Sequence, residues 1–150
     1  MMYESFDDYI EYMEKYRGSF PLEVYEFAVD VNRHNLDSPH SLHDSWMTSI
    51  TIKENRKIQR PFNPEPSIEL VFLGQMHDRD IILNYAGVES YKIEGIKNQF
   101  NSSDTFQGDI SCHEVRLSEE GLIVHEILFA SGSTIIITCK NFECSESLHA

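Results

Sequence analysis

Between Trp46 and Lys140 the sequence falls into short runs rich in Ile, Val, Thr and aromatic residues, each cut off by turn formers. Runs of that length and texture are strands. Six are expected: Trp46–Lys53, Ser67–Gly74, Asp80–Ala86 continued past a bend at Gly87 into Val88–Glu94, Asp109–Leu117, Leu122–Ala130 and Ser133–Lys140. Ser118-Glu119-Glu120-Gly121 and Ser131-Gly132 read as tight turns, Asn98–Gly108 as a loop, and Arg56–Pro66 as a basic, proline-rich connection. Consecutive strands joined by short turns make an antiparallel meander.

The first forty residues have helical spacing instead. Ser5 can cap a helix with Asp8 as its capping-box partner, and Phe6, Ile10, Met13 and Tyr9, Tyr12, Tyr16 recur at helical intervals. Arg17-Gly18 reads as its stop, and Pro21 as the start of a second helix, Leu22 to about Arg33. The expected class is α+β: N-terminal helices packed on a mostly antiparallel six-stranded β-meander, with a β-sandwich or partly closed barrel as the alternative. A chain of 150 residues makes one domain, with residues 1–40 helical and 41–145 the sheet.

Acidic residues number 25 against 12 basic, a formal charge of −13. Such a chain is poorly suited to phosphates or anionic lipid, so nucleic acid and membrane are not expected partners. The N-terminal sequence lacks the positive region and apolar run of a signal peptide. With three cysteines, Cys112, Cys139 and Cys144, an odd number, the expected compartment is the cytoplasm with reduced thiols. Cys112 and Cys139 read as small buried hydrophobes. Eight of the acids and only two bases lie in residues 1–31, so the outer face of the first helix is a carboxylate surface. Lys53, Arg56, Lys57 and Arg60 form the opposite patch.

Four of the seven histidines are followed directly by an acid: His43-Asp44, His77-Asp78, His113-Glu114 and His125-Glu126. On a strand, neighbours point to opposite faces, so a doublet cannot act within itself. A four-residue turn at 118–121 would put Glu114 opposite His125 and His113 opposite Glu126. A three-residue turn would leave Glu114 facing Glu126, which is unfavourable. His113, Glu114, His125 and Glu126 are therefore the candidate catalytic residues, as cross-strand ion pairs or as a general-base or metal site. No His-Glu-x-x-His or His-x-His spacing occurs. No cofactor is expected, with a divalent metal as the alternative.

His77, Asp78 and Arg79 fall at a hairpin tip and are candidates for contact with a partner. His43 and Asp44 precede the first strand and are binding candidates with Trp46, the single tryptophan. A core position is expected for that indole. Asp44 is read as a cap that accepts backbone N–H groups.

Leu42-His43-Asp44-Ser45-Trp46, Leu73-Gly74-Gln75-Met76-His77-Asp78-Arg79 and His125-Glu126-Ile127-Leu128-Phe129-Ala130-Ser131-Gly132 together resemble a group of small uncharacterised bacterial proteins, over roughly residues 36–140. In architecture and acidity the chain also resembles immunity proteins of bacterial toxin systems. That resemblance implies inhibition by binding another protein, and a basic one given the charge. The expected function is a non-enzymatic protein-binding module. A metal-dependent enzyme on the histidine–carboxylate pairs is the alternative, and a homodimer through a sheet edge is a third reading.

Overall fold

The computed structural model describes residues 3–149; Met1, Met2 and Ala150 of the expected single domain lie outside them. Helix α1 (Phe6–Lys15) starts where Ser5 Oγ accepts the Asp8 N–H at 3.1 Å. Asp7 and Asp8 in its first turn and Lys15 in its last suit the helix dipole. It buries Tyr9 and Met13. Helix α2 is shorter than the expected Leu22–Arg33. It spans Leu22–Val29, and Asp30 leaves helical geometry to cap a 3₁₀ turn (Val31–Arg33) by accepting the Asn32 N–H. The break turns the Arg33 carbonyl toward the sheet, where it serves the site described below.

Six antiparallel strands follow: β1 (Trp46–Lys57), β2 (Arg60–Leu73), β3 (Arg79–Glu94), β4 (Ile110–Leu117), β5 (Ile123–Phe129) and β6 (Thr134–Leu148). The class is the expected α+β with N-terminal helices. The order across the sheet is β1-β2-β3-β6-β5-β4. It is two three-stranded meanders joined where β3 pairs with β6, because the chain from Gly95 to Asp109 carries β4 to the far edge. The sheet stays open, yet its edges are tied at one end by the bridge between Trp46 and Asp109.

Apolar residues at alternate positions of β2, β3, β5 and β6 face the helices, and Leu70, Phe72, Ile81, Leu83, Ile127 and Ile135 are fully buried among them. Edge strand β4 has no strand on its outer side. There the Tyr9 hydroxyl accepts the Val115 N–H at 3.2 Å and the Tyr12 hydroxyl accepts the Leu117 N–H at 3.0 Å. The phenols of α1 thus stand in for a missing strand and close an edge that would template aggregation.

Three expectations change. The proline-rich segment is strand, not connection: β1 and β2 continue to a turn at Ile58-Gln59. Pairing of β2 with β3 ends at Ser67 and Ala86, where Gly87 at φ +60° turns β3 away. Prolines are tolerated there because this part of β2 has β1 on one side only. Trp46 is not in the core; it is 43 % exposed, with its ring 5.2 Å from that of His77. Cys112 is exposed, although Cys139 is buried as expected. No helix among the described residues is long and apolar enough to cross a membrane.

Candidate functional site

The β4–β5 hairpin sets the register of the histidine–acid doublets. Ser118 N–H donates to the Leu122 carbonyl at 2.8 Å and Gly121 takes φ +81°, a three-residue loop with glycine at the left-handed position. Val115 then faces His125, His113 faces Ile127, and Glu114 faces Glu126. The expected pairs Glu114/His125 and His113/Glu126 do not form. The like charges are tolerated because Arg116, on the same face, reaches Glu114 at 3.2 Å and Glu126 at 2.7 Å. Strand alternation sends both imidazoles to the core side and both carboxylates to the other, so the four candidate catalytic residues do not converge.

The imidazoles meet each other instead. His113 Nε2–H donates to the Arg33 carbonyl at 2.9 Å, since a carbonyl can only accept. His113 Nδ1 therefore accepts, and takes the proton of His125 Nε2 at 3.0 Å. His125 Nδ1 in turn accepts the Tyr85 hydroxyl at 2.6 Å. A single direction of donation runs from Tyr85 through both rings to the backbone, and it fixes both tautomers. The rings are also clamped: His125 stacks on Phe142 at 10° between planes, and His34 stacks on His113 at 4° and 4.2 Å. Burial lowers all three histidines, His125 to about 3 and His113 well below its usual value, with the neighbouring histidines adding to the shift in His113. The rings are neutral, and every nitrogen of His113 and His125 is committed within the fold.

Outside this chain lies a cavity of about 300 Å³ at the junction of α1 and β4. Tyr3, Phe6, Tyr9 and His34 supply aromatic walls, and Glu4 supplies a carboxylate. His43 and Cys112 reach its rim. Burial raises the Cys112 thiol, which keeps it protonated and a poor nucleophile.

The binding candidates are distributed. His43 Nδ1 donates to the Ser111 carbonyl at 2.7 Å, and its Nε2 lies 3.4 Å from Asp44, which has φ +61°. His77, at φ +58°, tops the β2–β3 turn beside Trp46. Arg79 grips both oxygens of Asp78 at 3.0 Å and also reaches Glu146 at 2.7 Å. Glu146 additionally accepts from Arg33 at 2.7 Å and His40 at 2.9 Å. Burial alone would raise its carboxyl; the hydrogen bonds from Arg79 and His40 and the charge of Arg33 hold it below the usual range. This junction pins the loop before β1 to the ends of β3 and β6.

Tyr85, His34, Arg33 and Glu146 were not singled out by the sequence. Tyr85 meets His125 across 40 residues and Arg33 meets Glu146 across 113, so no local pattern marks these contacts. Among the described residues no three His, Cys, Asp or Glu are placed to hold a metal ion. Comparison with models of known protein families and with curated proteins finds no match.

Proposed function

We propose that this chain is a protein-binding module of the inhibitor type, which takes a basic partner on the face built by α1 and β4. The observation that carries the reading is the cavity between them. Its aromatic walls and the Glu4 carboxylate suit one lysine or arginine side chain, held by charge and by ring faces. Anchors of this kind, a cationic or aromatic side chain in a pocket, dominate many interfaces. Exposed Asp7, Asp8, Glu11 and Glu14 extend the negative field along α1. A field of one sign speeds encounter with a cationic partner. The locked histidines support the fold of this face and need no turnover chemistry.

Arginine-rich and lysine-rich peptides are the probes. Calorimetric titration is expected to show binding that weakens with salt and is lost in Phe6→Ala, whose ring is partly exposed. Binding of neither peptide, or binding indifferent to Phe6→Ala and Glu4→Gln, would sink the proposal.

A further inference from the structure

The β1–β2 hairpin beyond Ser67 projects from the sheet as a two-stranded arm, since β3 has turned away at Gly87. Its end is unusual for a chain of charge −13. Ile58 is 94 % exposed and Phe62 96 %, and Lys53, Arg56, Lys57 and Arg60 put four of the twelve bases within eight residues. Arg56 donates to the Pro61 carbonyl at 2.6 Å, which stiffens the tip. Its ion pairs to Glu54, and that of Lys57 to Glu65, are long, at 3.9 Å, and solvent-exposed, so they hold these bases weakly. Two large apolar side chains held in water on a rigid, basic tip are a cost to the isolated molecule that a contact removes.

The same chain carries a surface of matching chemistry. Between α2 and β6 lies a groove of about 430 Å³ with the carboxylates of Glu23, Glu26, Asp30 and Glu143 around it and Phe27 and Phe142 at its base. Arg33, the base on its wall, lies over the Phe27 ring at 5.6 Å and is neutralised by Glu146 at 2.7 Å. From the charge complementarity of the two surfaces, joined to the two exposed apolar side chains of the arm, we infer that the arm of one copy docks in the α2–β6 groove of a second copy. Exchange about a two-fold axis makes this contact twice and leaves no arm exposed. Overall repulsion between acidic copies is screened beyond about 8 Å at physiological ionic strength, so the local match decides. The inference stands on a different face from the proposed partner site and does not depend on it.

Sedimentation of the full chain across a wide concentration range tests it. A monomer–dimer equilibrium is expected, and Ile58→Ser/Phe62→Ser, at positions already in solvent, is expected to remain folded and monomeric. Arg56→Glu/Arg60→Glu and Glu23→Lys/Glu26→Lys are each expected to be monomeric alone and to pair when mixed, because the exchanged charges are complementary in both contacts. A wild-type monomer throughout, a dimer that survives the arm substitutions, or no pairing in the mixture would overturn the inference.

Discussion

Glu114 and Glu126 stand directly opposite each other on neighbouring strands, and a single guanidinium, that of Arg116, holds both. Glu114 is almost wholly buried, with 3 % of its side chain exposed. Removing the cation deletes the ion pair that each carboxylate makes with it. Arg116→Met is expected to cost about 3 kcal/mol in urea unfolding, the scale for breaking a buried ion pair. Adding Glu126→Gln should return a substantial part of that loss. If Arg116→Met unfolds at the wild-type midpoint, the guanidinium is not what permits this register.

The hydrogen-bond chain from Tyr85 makes a second prediction. Tyr85→Phe keeps the ring and deletes the donor to His125 Nδ1, leaving a buried acceptor unpaired. A loss of about 1–3 kcal/mol is expected. Nitrogen NMR of the wild type should find His113 and His125 both protonated at Nε2. The opposite tautomer in either ring would refute the direction of donation.

Acid should weaken the fold through the same residues. An unfolded histidine titrates near 6.5, roughly. In the fold burial takes His125 to about 3 and lowers His34 and His113 as well. As pH falls the unfolded chain binds these protons first, so their contribution is complete above pH ~6.5 and is lost between there and ~3. Asp109 opposes them: burial, with Asp44 and Asp104 nearby, raises it to about 6, so the folded state takes that proton first. Three histidines outweigh one carboxyl. The urea midpoint is expected to fall from pH 7.5 to pH 5, and more steeply in Asp109→Asn. Proton NMR should show the His113 and His125 rings silent over that range. Titration of either ring in the native state over that range would contradict the assignment.

Edge protection by α1 can be tested at one atom. Tyr9→Phe removes the acceptor of the buried Val115 N–H at almost no change in shape. A cost of about 1–2 kcal/mol is expected, together with faster amide exchange at Val115. Tyr12→Phe, on a less buried ring, should do less. Equal, negligible effects would show that the hydroxyls do not substitute for a strand.

Period and punctuation made much of the architecture legible. Ser5 caps α1, Gly87 bends β3, and six strands form in the expected order, although β2 starts seven residues earlier and β6 runs eight residues further than expected. The errors arose where the outcome depends on a third residue. Glu114 facing Glu126 is unfavourable for the pair alone, and Arg116 bridges the two. The area of Trp46 argues for the core, but it begins an edge strand of the open sheet, bridged to Asp109. Prolines argue against central strands and make the arm look like a connection, but this segment has a neighbour on one side only. The site was least legible: His113 and His125 were marked, but their partners Tyr85, Arg33 and His34 are brought in by the fold.

The joint between β3 and β6 has a consequence for synthesis on the ribosome. The last strand in chain order lies inside the sheet, between β3 and β5. A nascent chain can complete the β1–β2–β3 half early, but the inner edge of β3 then waits, with its backbone groups unpaired, until β6 emerges some forty residues after β3 ends. Until then that edge is a template for any other strand. Chains stalled or truncated before β6 should therefore depend heavily on chaperones, whereas a loss confined to the arm would leave the timing of assembly unchanged.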